Sequence, residues 1–118
     1  MKHILLAFVF FLSTNAFADV EYYCEALVQN QYFTTLTAEI NPHESRLVLV
    51  NPNKSGAPDR FVLSADRSIE DGTIFYTSDE SVLIIETTQP VGQSHKVSGV
   101  YMIPPIRIEI PVACEPYL

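Results

Sequence analysis

Ile106-Arg107-Ile108-Glu109-Ile110-Pro111-Val112 is the stretch that decides the fold class of this 118-residue chain. Ile106, Ile108, Ile110 and Val112 share one parity, and Arg107 and Glu109 share the other. Period-two alternation of this kind belongs to a strand with one face on a core and one in water. Pro111 marks an edge or an irregularity, because proline has no N–H to give a ladder. Cys114 continues the apolar parity. A matching pattern opens the chain body at Val20 to Val28, where Val20, Tyr22, Cys24, Ala26 and Val28 oppose Glu21, Tyr23 and Glu25. With a cysteine on the apolar face of each run, and if neither run is bulged, the first and last strands are predicted to meet inside the fold.

Between these two runs no helical period appears. Short segments rich in Val, Ile, Thr, Tyr and Phe are separated by Asn, Pro, Gly, Asp and Ser. Strands are predicted at Tyr32–Ile40, Arg46–Val50, Arg60–Leu63, Thr73–Thr77, Val82–Thr87 and Lys96–Ile103. Asn41 to Ser45 and Thr77 to Ser81 read as hairpin loops and Pro104-Pro105 as a stiff corner. Asn51 to Asp59, Ser64 to Gly72 and Thr88 to Ser94 read as longer polar loops. The expectation is an all-β single domain over residues 19–118, a small antiparallel β-barrel or β-sandwich of about eight short strands closed by one disulfide.

The first eighteen residues have the form of a secretory signal peptide: Lys2, an apolar run from Ile4 to Leu12, and Ala16-Phe17-Ala18 at the cleavage point. The run of about nine residues is short of the roughly 20 that a spanning helix needs. No cysteine follows directly that could carry a lipid. The expected address is the periplasm or the outside of the cell. There, two cysteines and a single possible pairing imply a Cys24–Cys114 disulfide. In the chain-entropy model, closing a loop of about ninety residues is worth up to about 4–5 kcal/mol.

The whole chain carries 7 Lys/Arg against 14 Asp/Glu, a formal charge of −7. Loss of Lys2 with the leader takes it to about −8. Such a balance repels nucleic acid and anionic lipid and favours a cationic protein or ligand; it also keeps an exported protein in solution.

No motif of catalysis, cofactor binding or metal ligation is present, and none of the three is expected. His43, in a turn beside Pro42, and His95, at the head of a strand, have no local orienting partner and read as solvated surface groups. There is no GxSxG or HExxH. Asp66, Glu70 and Asp71, with Asp79-Glu80 further on, form an acidic cluster that lacks the spacing of a calcium loop and contains Arg67. Tyrosine outnumbers phenylalanine once the leader is removed, and its amphipathic ring suits both interfaces and strand surfaces. A contact surface is therefore expected around Asp66, Glu70, Asp71, Phe75 and Tyr76. Asn53-Lys54-Ser55 fits a glycosylation sequon, of use only in a eukaryotic host.

Val20-Glu21-Tyr22-Tyr23-Cys24 resembles the opening of small exported inhibitors of C-type lysozyme, which are mainly β with a cysteine near each end. Asp71-Gly72-Thr73-Ile74-Phe75-Tyr76 is similar to their Ser-Gly-x-x-Tyr loop, with Asp for Ser and a spacing that differs by one residue. The tryptophan of their later motif is missing. The resemblance implies a cationic enzyme as target. Three functions follow in order: an exported non-catalytic binding module, an inhibitor of a cationic hydrolase such as lysozyme, and a small hydrolase whose site is assembled from distant residues.

Overall fold

The computed structural model describes residues 19–40, 44–52 and 58–117. The leader, His43 and the Asn53 sequon lie outside the described residues. Eight antiparallel strands follow one another around a closed barrel: β1 (Asp19–Ala26), β2 (Thr35–Ile40), β3 (Ser45–Pro52), β4 (Pro58–Glu70), β5 (Thr73–Thr77), β6 (Val82–Pro90), β7 (Val97–Ile103) and β8 (Ile108–Pro116). Of the two closures the sequence allowed, the chain forms the barrel. Among the described residues no helix is long and apolar enough to cross a membrane.

Eight strands leave an interior just wide enough for side chains. Leu36, Leu47, Ile74, Tyr76, Leu83, Ile85 and Val112 fill it, and all are buried. Each buried Leu, Ile or Val contributes roughly 1.5–3 kcal/mol relative to exposure. Glu25, Asp66 and Glu70 stand exposed on the outside.

The barrel closes where the sequence placed its cysteines. Cys24 pairs directly with Cys114 across β1 and β8, with Cα atoms 4.0 Å apart and the sulfurs bonded. Gly99 lies beside this cystine. A Cβ there would stand 2.9 Å from the Ile84 carbonyl oxygen, 3.0 Å from Val112 Cγ2 and 3.4 Å from Cys114 Sγ. Only a residue without a side chain lets β7 pack this close to its neighbours.

The final run keeps its phase but starts later. β8 begins at Ile108, and Ile106 lies in a 3-10 turn, Pro104–Ile106, that leaves it exposed. Pro111 stands where pairing with β1 gives out: its carbonyl accepts from the Leu27 N–H (2.9 Å), and beyond that point it owes no donor. In β1 the register slips between Val20 and Tyr22, so Glu21 is the extra residue of a bulge. Tyr22 and Cys24 keep the inward parity, Val20 leaves it, and Val28 lies exposed beyond the strand.

Other boundaries shift as well, β3 spanning Ser45–Pro52 and β8 running on to Pro116, and three shifts have a local cause. β2 starts at Thr35 because Asn30 holds the preceding residues in a turn, its Oδ1 accepting from the Tyr32 and Phe33 N–H groups at 2.8 and 3.0 Å. β6 runs on to Pro90 through a bulge, with the Thr87 N–H donating to the Gly72 carbonyl at 3.0 Å. The largest difference is β4. Ser64 to Glu70, expected as loop, is strand, and only Asp71-Gly72 turns the chain. Both turn residues have positive φ (51° and 81°), the primed hairpin geometry that Asp-Gly favours.

Candidate functional site

One end of the barrel carries the β1–β2, β5–β6 and β7–β8 connections, and the other carries the Asp71-Gly72 hairpin and the β6–β7 loop. At the first end the Asn30 turn drives Phe33 into the barrel mouth. There it is buried edge-on against Tyr101, with ring centroids 5.3 Å apart at 81°. The Asn51 amide ties β3 to this turn through the Gln31 carbonyl at 2.6 Å. The mouth is thus plugged, and what remains lies to one side of the plug.

That side contains an apolar cleft of about 310 Å³ walled by Tyr32, Leu49, Phe61, Leu63, Tyr101 and Ile103. A second cleft of about 440 Å³ shares Leu63, Tyr101 and Ile103 and reaches the β5–β6 turn at Ser78, Asp79, Glu80 and Ser81. This turn is pinned from within. The Ser78 N–H donates to the Ser81 carbonyl at 2.8 Å, and the two hydroxyls meet at 2.7 Å. Burial pushes the Tyr101 phenol above its ordinary range, and a hydrogen bond with Ser81 offsets part of that rise. Asp79 and Glu80 project at the rim, both exposed. Phe61 and Val62 remain 55% and 57% exposed although they lie on a strand.

The opposite end holds a polar, internally satisfied cluster, with Ile69 of β4 exposed beside it. The Glu21 bulge turns its carboxylate across the barrel to Arg67, which donates from Nε at 2.8 Å and from Nη2 at 2.7 Å. Tyr76 donates its phenol proton to Glu21 Oε1 as well. Burial alone would push the Glu21 carboxyl up. The Arg67 and Tyr76 hydrogen bonds and the Arg67 charge outweigh it and hold the group below its ordinary value. Burial first, and then the carboxylate, drive the Tyr76 phenol strongly upward.

The residues singled out in the sequence do not converge. Asp66 and Glu70 face outward on β4, Asp71 sits in the hairpin turn at the polar end, and Phe75 is half-buried on the outer face of β5. Tyr76, its neighbour, points inward and is fully buried, so it belongs to the barrel interior and not to a contact surface. Strand alternation makes that separation unavoidable. Asp71–Tyr76, the segment resembling the inhibitors' loop, is therefore a tight hairpin followed by a core strand. His95 stands 75% exposed, 3.3 Å from Glu115, at the polar end and away from the clefts. Among the described residues no group of three or more His, Cys, Asp or Glu could hold a metal ion.

The residues that build the clefts escaped sequence reading. In the sequence Phe61 and Leu63 belong simply to the predicted Arg60–Leu63 strand, and Asp79-Glu80 to a hairpin loop near the acidic cluster. The available signal was Phe61-Val62-Leu63, an apolar triplet with no alternation, which a strand with one wet side does not need. No protein-family model, no curated protein and no solved structure matches this chain.

Proposed function

We propose that this chain is an exported, non-catalytic binding barrel that grips a cationic macromolecule at the clefts beside its Phe33 plug. One observation carries the reading: Phe61, more than half exposed, walls an apolar cleft that continues to the Asp79-Glu80 rim. An isolated exposed apolar residue is ordinary. A large one beside a concave apolar surface and a charged margin has the make-up of an interface, an apolar centre within a polar rim. The chain's charge of −7 and the disulfide, which suits an oxidising compartment, support the same reading. The purified protein, immobilised at low salt and challenged with an envelope extract, is expected to retain a basic protein. Phe61→Ser should abolish that retention, and salt of roughly 0.5 M should elute what is held. Equal retention by parent and Phe61→Ser would overturn the assignment of the cleft.

The exposed carboxylates on the pinned Ser78–Ser81 turn also favour a second reading, an inhibitor of a cationic hydrolase such as lysozyme. Such a protein should hold a C-type lysozyme on the same column and slow its lysis of cell walls. Flow-through of lysozyme at low salt removes this reading and leaves the first intact.

A further inference from the structure

The pairing of β4 changes partner in mid-strand. Pro58 to Ala65 pair with β3, and Asp66 to Glu70 pair with β5; no residue of β4 has a strand on both sides. Among the described residues, the edge of Asp59–Ala65 that faces away from β3 meets no strand. Successive residues of a strand direct their backbone groups alternately to its two edges, so about half of the N–H and C=O groups in this stretch face the gap. The gap is a groove: Val62, Leu63 and Ser64 form one bank, and Ser78 to Ser81 form the other.

Natural sheets protect such edges with charges, prolines or covering loops. Here Asp59 and Arg60 guard only the outer tip, and the middle is Phe61-Val62-Leu63, with its first two side chains largely exposed. We propose that the Asp59–Ala65 edge of β4 receives an extended, lysine- or arginine-bearing segment of a partner protein as an added strand. This rests on the binding reading above and gives it a mode. In strand addition, main-chain hydrogen bonds supply affinity and pockets for alternate side chains supply specificity. Every second side chain of the added strand would enter the apolar cleft beside Phe61 and Tyr101. A basic side chain would reach Asp79 or Glu80 at the rim. The charge decides the occupant: a second copy would bring its own net −7 against this acidic margin, whereas a basic segment is attracted to it.

The test uses the purified protein, isotope-labelled, and three blocked octapeptides: (Lys-Val)4, (Glu-Val)4, and (Lys-Val)4 with its backbone nitrogens methylated. Methylation keeps side chains and charge but removes the donors a ladder needs. The lysine peptide should slow amide exchange at alternate positions of Asp59–Ala65. Methylation, which removes several ladder hydrogen bonds, and the charge swap, which removes the attraction to the acidic rim, should each weaken binding by at least about tenfold. Equal binding of the methylated peptide would overturn strand addition while leaving a binding site at the clefts in place. Absence of any slowing with the lysine peptide would also overturn it. So would a peptide-free dimer, detected by sedimentation, whose protected amides are those of Asp59–Ala65, because the occupant would then be a second copy.

Discussion

The barrel has two seams, and they are built in opposite ways. At the β1–β8 seam the chain's ends meet in register from Tyr22–Pro116 to Ala26–Val112, with the cystine in the middle and Gly99 letting β7 close in behind it. At the β4 seam the strand passes from one neighbour to the next without overlap. Below the changeover, Arg67 is tied across the interior to Glu21, and Asp66, Ser68 and Glu70 present polar groups to water. Above it, the apolar triplet faces a groove. A closed ring needs every strand to have two neighbours somewhere along its length, but not at every residue. The β4 stagger uses that freedom, and the fixed ties elsewhere hold the ring together around the opening.

Breaking the fastened seam should have the largest effect. Replacing both cysteines, Cys24→Ser with Cys114→Ser, should cost about 2–5 kcal/mol. At about 4–8 °C per kcal/mol for a domain of this size, the fall in Tm should be at least about 8 °C. Thermal unfolding followed by circular dichroism reads it, and an unchanged Tm would mean the barrel closes without its covalent tie. Gly99→Ala comes next. The new methyl would meet a backbone carbonyl at 2.9 Å, so neighbouring strands must shift, at about 1–3 kcal/mol. A variant as stable as the parent would show that β7 is looser than this packing implies.

The tie below the changeover should matter less. Arg67→Met leaves the Glu21 carboxylate without its cation. Both side chains keep some solvent contact, 27% and 19%, so the loss should be about 1–3 kcal/mol, below that of a fully buried pair. Adding Glu21→Gln should recover part of it in denaturant titration. The sign of the pH dependence follows from the same group. Its folded value lies below the ordinary 4.5, so its contribution is complete above that pH and disappears as pH falls through the folded value. Tyr76 acts at the other extreme. Its raised value means stability falls as pH rises above the ordinary 10.0. The Glu21→Gln variant should lose less stability than the parent between neutral and acid pH. The smallest effect belongs to the open seam: Phe61→Ser should change stability by no more than about 0.5 kcal/mol while removing binding.

Much of the fastened seam was legible because it is made of parity. Cys24 and Cys114 sat on apolar faces near the ends, and alternation carried them to the same interior. Thr73–Thr77 was legible for the same reason, with Ile74 and Tyr76 alternating against Thr73, Phe75 and Thr77. The lower half of β4 was not. Its inward parity runs Ala65, Arg67, Ile69, with a charge in the middle and Ile69 58% exposed, and its outward positions are all polar, so no continuous apolar period marks a strand. Arg67 is tolerated inside only because the bulge at Glu21 brings a carboxylate to meet it. That coupling spans 46 residues and leaves no local trace. The open seam was hidden for a further reason: an unpaired edge is a property of topology, and the residues along it look like any apolar strand.

The central claim is that Asp59–Ala65 offers a free edge. Residue-by-residue hydrogen exchange on the unliganded protein tests it most directly. Amides bonded to β3 should be protected, and the alternate amides of the same stretch should exchange far faster. Uniform protection across Phe61 to Ala65 would mean the groove is already bridged, and the account would fail.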